Sequence, residues 1–184
     1  MKKIKQLSFG DLPGVRGADF ESNRCYVHGG QNAVGKRKKR RPVALKKSLH
    51  VIMKSSRARG GYSLRAFHTQ PKIEKLIKHF ARRFNIKIYQ LVINFNHVHV
   101  VLKANQRDEL QSFFRATAGQ IAVLVLKAKK GEKRGRFWDW LTFSRIVEWG
   151  RAFQLAMNYV LQNDLEACGI IPFQPRVRKE SRLD

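Results

Sequence analysis

The sequence NFNHVHVVL, residues 94–102, has the composition of a β-strand and carries two histidines one residue apart. Successive side chains of a strand point to opposite faces. His97 and His99 are therefore expected on one face, about 7 Å apart at their bases. Two imidazoles at that separation can share one metal ion. The stretch raises the question of which other residues would supply a third ligand, a nucleophile and a substrate.

The composition of the chain predicts the class of its partner. The 184 residues include 38 Lys and Arg against 13 Asp and Glu, a formal net charge of +25, and 43% are apolar, which is enough for the core of one domain. Such an excess predicts a polyanion, with nucleic acid ahead of membrane, because neutralising phosphates gives affinity for any base sequence. The two cysteines fit neither a disulfide framework nor a zinc site. No signal peptide or membrane-spanning run is visible, so a cytoplasmic, nucleoid-associated protein is expected.

Both ends of the chain are predicted to lie outside the folded domain. Residues 1–42 are interpreted as a basic flexible arm, since no acidic residue occurs between Glu21 and Glu74. A basic run is typical of a solvated arm or a targeting signal, but in so basic a chain it favours an arm that contacts phosphates. Residues 172–184 are interpreted as a basic tail. The run in the arm consists of Lys36, Arg37, Lys38, Lys39, Arg40 and Arg41.

The order of elements between these ends predicts the fold. Apolar alternation predicts strands over residues 43–54, 86–93, 97–102 and 137–147, and helical spacing predicts helices after Thr69, after Asp108 and over residues 151–167. The second and third strands form a hairpin. This order matches an α+β, ferredoxin-like split βαβ domain over residues 43–171, with a four-stranded antiparallel sheet and helices on one face. The other face would be open to a cleft that both histidines could reach.

The last predicted helix carries side chains that could complete such a site. Tyr159 and Asn163 are four residues apart and share one helical face. The oxygen of Asn163 suits Mg²⁺ or Mn²⁺, and the phenolate of Tyr159 is a competent nucleophile towards phosphorus. Each feature alone is more often structural: a buried histidine pair, a packed tyrosine, an asparagine cap. Their conjunction in a chain of this charge favours a site.

Three segments, in order, resemble the single-tyrosine HUH transposases, in particular the REP-associated branch with an asparagine in its tyrosine helix. Residues 96–102 resemble the histidine-hydrophobic-histidine signature, and residues 159–163 the tyrosine-x-x-x-amide helix. Residues 135–140, leading into 145–147, are similar to the Trp-containing final strand of that branch. The resemblance covers residues 43–171. One departure is Asp164, where the family commonly has proline.

The resemblance implies a metal-dependent endonuclease and strand transferase that acts on single-stranded DNA at or near hairpin-forming repeats. On this reading His97, His99 and Asn163 bind one Mg²⁺ or Mn²⁺, and the C-terminal helix carries the nucleophile, Tyr159. Its attack gives a 5′-phosphotyrosine and a free 3′-OH, and the step is reversible. Phe137 and Trp138 are candidates for base stacking or, equally, for the core. Predicted DNA contacts besides the arm are Lys46, Lys47, Arg57, Arg59, Arg65 and Arg136.

Two other functions remain open from the residues alone. A ferredoxin-like sheet of the RNA-recognition type would explain the charge and the fold without catalysis, but not the conjunction of His97, His99, Tyr159 and Asn163. A hydrolytic metal-dependent nuclease would leave Tyr159 as a packing residue. The sequence leaves monomer and homodimer as alternatives.

Overall fold

The computed structural model describes residues 26–35, 40–132 and 134–173. The predictions for Lys36, Arg37, Lys38 and Lys39, and for the tail beyond residue 173, lie outside these ranges. No helix within them is long and apolar enough to cross a membrane. The strands are β1 (Val27–His28), β2 (Ser48–Lys54), β3 (Ile86–Ile93), β4 (His97–Ala104) and β5 (Phe143–Val147), and the helices are α1 (Gln70–Arg83), α2 (Arg107–Leu126) and α3 (Arg151–Ala167).

One antiparallel sheet contains all five strands, in the order β1-β5-β2-β4-β3. β2, β3, β4 and β5 correspond to the four predicted strands. Numbered along the chain, these four lie across the sheet in the order fourth, first, third and second, which is the arrangement of a split βαβ sheet. The predicted α+β fold is confirmed, with one correction: the sheet has five strands, not four. The additional strand is β1, whose two residues pair with Ser144 and Arg145 at the sheet edge. Two residues are too few for an alternation pattern to be visible.

Two predicted strands are shorter than their apolar patterns indicate. β2 begins at Ser48 rather than at residue 43, and β5 at Phe143 rather than at residue 137. The segment before β5 is apolar because it packs into the core as a loop. Phe137 is buried there, and its carbonyl accepts a hydrogen bond from the Ser55 hydroxyl, 2.5 Å, rather than from a neighbouring strand. A buried loop that does not pair with a strand can therefore have the apolar composition of a strand.

The helices divide between the two faces of the sheet. α1 and α2 cover the face that carries Leu49, Val51, Val98 and Val100, which with Phe113 belong to the main core. Each such fully buried side chain contributes about 1.5–3 kcal/mol to folding. α3 covers the opposite face, where Val160 packs against Val92 and Val101. Since side chains alternate along β4, His97 and His99 share one face, as predicted. That face is covered by α3 and is not open as the sheet pattern predicted, because Val92 and Val101 pack against Val160.

The segment predicted as an arm contributes to the fold at two points. One is β1. The other is Arg41, whose guanidinium donates to the Ser144 hydroxyl and, at 2.8 Å, to the Thr142 carbonyl, and lies 4.8 Å from the ring centre of Phe114. Burial lowers the pKa of Arg41 to about 10, so the group is still charged at neutral pH. Arg41 therefore connects the chain before β2 to β5 and α2.

Replacing Arg41 by Met is expected to lower the free energy of unfolding by about 2 kcal/mol, because Ser144 and the Thr142 carbonyl lose their donor. The neighbouring Arg40 is exposed. Arg40→Met should change stability by less than about 0.5 kcal/mol. Urea unfolding of both variants measures the difference. Equal stabilities would contradict a stabilising role for the hydrogen bonds of Arg41 to Ser144 and Thr142.

Candidate active site

His97 begins β4 and is held by two asparagines. Its Nδ1 lies 2.7 Å from the Asn96 side-chain oxygen, which can only accept, and its Nε2 lies 2.9 Å from the Asn94 amide nitrogen, which can only donate. His97 is therefore the neutral tautomer with its proton on Nδ1 and a lone pair on Nε2. This is the tautomer that binds a metal ion through Nε2.

His99 follows on the same face, with its ring centre 4.7 Å from that of His97 and the two planes nearly perpendicular. It is 2% exposed. Its Nδ1 lies 3.0 Å from Nε2 of His50, and the two rings are stacked at 5.2 Å between centres. Burial, with the positive charge of Arg145 opposite on β5, lowers the pKa of His50 to about 3. His50 is therefore neutral at neutral pH.

Tyr159 of α3 lies over this pair of imidazoles. Its ring centre is 5.8 Å from that of His99 and 5.9 Å from that of His50, edge to face with both. The neighbouring Val160 fixes the helix against Val92 and Val101. Gly150, at φ 85°, allows the chain to turn from β5 into α3, a conformation that favours glycine. The prediction that the last helix packs over the histidine strand is confirmed.

Asn163 lies one turn further along α3 and is 3% exposed. Its amide nitrogen donates to the Tyr159 carbonyl at 2.6 Å, so its side-chain oxygen is the atom that could bind a cation. The next residue, Asp164, pairs with Arg65 at 3.1 Å, and the same guanidinium donates to the Ile93 carbonyl at 2.8 Å. This contact places the Asn163 end of α3 at the end of β3, where the chain turns into His97.

The residues present fit a divalent cation. Among the described residues no three His, Cys, Asp or Glu side chains cluster closely enough to hold a metal, so a site at His97 and His99 needs an amide or another ligand type. Amide oxygens are available on Asn163 and on Asn94, whose side-chain oxygen is buried beside His97 with no donor in the described part of the chain. Asp164, already paired with Arg65, is the weaker candidate.

The predicted basic contacts lie at different places in the fold. Arg57 and Arg59 follow the end of β2 that pairs with His97, and Arg57 donates to the carbonyl of Arg136, 2.9 Å, so these three exposed side chains lie at the His97 end of the sheet. Lys46 and Lys47 lie at the other end, where Lys47 pairs with Glu148. Arg40 is exposed, Arg41 is half-buried, and Arg65 pairs with Asp164 of α3.

Of the two alternatives left open for Phe137 and Trp138, base stacking and the core, the structure supports the core. Phe137 is 3% exposed, and the indole nitrogen of Trp138 donates to the Ala118 carbonyl at 2.8 Å, so both belong to the core. Three other aromatics are exposed at the His97 end, in the β3–β4 turn and in the loop before α1. A hydrogen bond of 2.9 Å from the Leu64 amide to the Phe95 carbonyl joins these two segments. We call Tyr62, Phe67 and Phe95 the aromatic edge.

Further site residues were missed because their signal is tertiary. His50 was interpreted only as part of a strand pattern, yet it is 1% exposed and contacts both His99 and Tyr159. Arg145 lies opposite it on β5, where burial lowers its pKa. Asn94 and Asn96 were interpreted as turn residues. A polar residue at an inward position of β2 is the one sequence signal that could have indicated His50.

Comparison with known families matches residues 37–163, more than half of the chain, to a model described as "Transposase IS200 like". The chain belongs to the IS200-like transposase family. Membership implies that this transposase binds and cleaves DNA, which supports the resemblance found from its motifs. No curated protein matches the transposase. Among solved structures, one of a candidate transposase from Deinococcus radiodurans R1 matches with 14% identity over 70% of this chain and 98% of that chain, with a TM-score of 0.42.

Proposed function

We propose that this transposase cleaves and rejoins single-stranded DNA at or near hairpin-forming repeats through a 5′-phosphotyrosine on Tyr159. The observation that carries the proposal is the position of the Tyr159 ring, edge to face over the buried His99–His50 pair. A tyrosine that only filled space would not need two imidazoles beneath it. The alternative binding module requires no such arrangement.

Tyr159 and Arg145 have different roles in the proposed reaction. The Tyr159 oxygen attacks the scissile phosphorus, the new O–P bond forms as the bond to the 3′ oxygen breaks, and the phenol loses a proton as the 3′-OH gains one. The link to Tyr159 retains the phosphodiester energy, so the 3′-OH of another strand can reverse the step. Arg145, on the same face, contributes positive charge where the phosphate would lie.

His97, His99 and Asn163 would hold one Mg²⁺ or Mn²⁺. Their donor set, two imidazole nitrogens and an amide oxygen, leaves positions for phosphate oxygens. When bound, the ion would supply Lewis-acid charge to a non-bridging phosphate oxygen. The three ligands come from the start of β4 and from α3, so the same packing that places Tyr159 also places the amide.

The test uses a 3′-end-labelled, hairpin-bearing single-stranded DNA, incubated with the full chain and Mn²⁺ and then denatured. The proposal predicts a labelled protein–DNA adduct together with a fragment ending in 3′-OH. Cleavage without an adduct would instead support the hydrolytic nuclease. Binding with neither product would support the binding module.

The aromatic edge is proposed to receive the unpaired bases beside the scissile phosphate. Phe95 is 57% exposed and lies two residues before His97, at the same end of the sheet as the exposed Arg57, Arg59 and Arg136. A positively charged groove with exposed aromatics is typical of single-strand binding, because every base has a face that can stack. Phe95→Ala should therefore weaken single-strand binding about 5- to 150-fold.

Fluorescence anisotropy with single-stranded and fully duplex DNA measures this effect. Val123 on α2 is also an exposed apolar residue, but lies on the helix that covers the opposite face, so Val123→Ala is the matched control. Equal losses for the two DNAs would contradict base stacking at Phe95.

A further inference from the structure

His50 is a buried polar side chain of the site with no part in the proposed reaction. It lies on β2, beside β4, and is 1% exposed. Its ring is stacked on that of His99, with the planes 13° apart and Nε2 of His50 3.0 Å from Nδ1 of His99. Burying an imidazole costs desolvation unless it is hydrogen-bonded, so packing alone would favour an apolar side chain here.

The contact between the two rings has only two arrangements when both are neutral. Either His99 donates from Nδ1 to His50, or His50 donates from Nε2 to His99. In the first arrangement Nε2 of His99 carries a lone pair. In the second it carries a proton and cannot bind a cation without losing it.

His97 offers a comparison for choosing between the two arrangements. There the Asn96 oxygen accepts from Nδ1, and Nε2 carries the lone pair. His50 touches the corresponding nitrogen of His99. Both histidines are thus contacted at Nδ1 by another polar side chain, Asn96 for His97 and His50 for His99, which is how metal-binding histidines are commonly oriented.

We propose that His50 is a positioning residue that accepts a hydrogen bond from Nδ1–H of His99 and so holds the tautomer and ring orientation in which Nε2 of His99 can bind a divalent cation. The inference rests on the proposed function, since it deepens the metal site. Partners of this kind typically change metal affinity by about 10- to 100-fold when they are removed.

The first test needs no metal and leaves His50 unchanged. Nitrogen-15 NMR of the imidazole side chains in the full-length, metal-free protein at neutral pH reports which nitrogen of His99 is protonated, with His99→Gln used to assign the signal. The proposal predicts a protonated Nδ1 and an unprotonated Nε2. A proton on Nε2 of His99 would overturn it.

The second test measures Mn²⁺ affinity by calorimetry on folded variants. His50→Leu fills the space with an apolar side chain but removes the hydrogen-bond acceptor, and should weaken Mn²⁺ binding about 10- to 100-fold. His50→Gln places an amide oxygen near the position of Nε2 and should restore most of the affinity. Ser48, another buried polar residue of β2, bonds to Val147 instead, so Ser48→Ala should bind Mn²⁺ like the wild type.

The outcomes separate this inference from the metal site itself. If His97→Ala loses Mn²⁺ binding while His50→Leu retains it, the positioning role is overturned and the metal site stands. If His97→Ala binds Mn²⁺ as the wild type does, both are overturned. Equal losses in His50→Leu and His50→Gln, with wild-type unfolding profiles, would also contradict a role as hydrogen-bond acceptor.

Discussion

Tyr159→Phe is expected to abolish the covalent protein–DNA adduct while the protein folds and binds DNA normally. The substitution removes one oxygen from a half-buried ring and leaves its edge-to-face contacts with His99 and His50 available. No other group replaces a nucleophile of this kind, so adduct and strand transfer should both fall below detection. Denaturing gels with end-labelled DNA measure both products.

Tyr89→Phe provides the matched control. Tyr89 is a second half-buried tyrosine on the α3 face, where its ring packs against Phe153 and Trp149 at 5.3 and 5.5 Å between centres. The Tyr89→Phe variant should form the adduct at the wild-type rate. An adduct that survives in Tyr159→Phe, or one lost equally in both variants, would remove the assignment of Tyr159.

His97→Ala is expected to eliminate Mn²⁺ binding and to slow cleavage by at least about 100-fold, since the bound ion is worth several kcal/mol of transition-state stabilisation. Binding of single-stranded DNA should persist, because Arg57, Arg59 and Phe95 are unchanged. Calorimetry with Mn²⁺ and single-turnover cleavage measure the two effects. His79→Ala, at an exposed position of α1, is the control. Loss of DNA binding without loss of Mn²⁺ binding in His97→Ala would favour a binding module.

Local periodicity was sufficient to predict the relations that make the site. Alternation put His97 and His99 on one face, and the helical repeat put Asn163 one turn beyond Tyr159. The packing of α3 over the strand depends on Val160, which buries the apolar side chains of Val92 and Val101 on that face of the sheet. These features follow from single elements, whose patterns are visible in the sequence.

The tertiary contacts of Arg65 and Arg41 could not be predicted from the sequence. Arg65 was predicted to be an exposed basic residue that contacts DNA. It binds Asp164 and the Ile93 carbonyl instead, and so attaches α3 to the sheet. Arg41 ends a basic run and is nevertheless half-buried, with its guanidinium over the ring of Phe114. Asp164 lies 99 residues from Arg65, and Thr142, which accepts from Arg41, lies 101 residues from it, so composition does not indicate either contact.

The aromatic residues illustrate the same limit. From the sequence, Phe137 and Trp138 could equally be stacking residues or core residues, whereas the fold buries Phe137, packs Trp138 against the core and exposes Phe95 and Phe67. Burial depends on which side of the sheet a loop closes. A single sequence does not specify this for a segment without regular alternation.

The most direct test of the central claim is mass spectrometry of the adduct after exhaustive nuclease and trypsin digestion. The four tyrosines, Tyr26, Tyr62, Tyr89 and Tyr159, lie in four different tryptic peptides, so a residual nucleotide can be assigned to one of them. The site described here predicts a nucleotide linked through its 5′ phosphate on the peptide of residues 152–176, at Tyr159. A nucleotide on any other residue would contradict it.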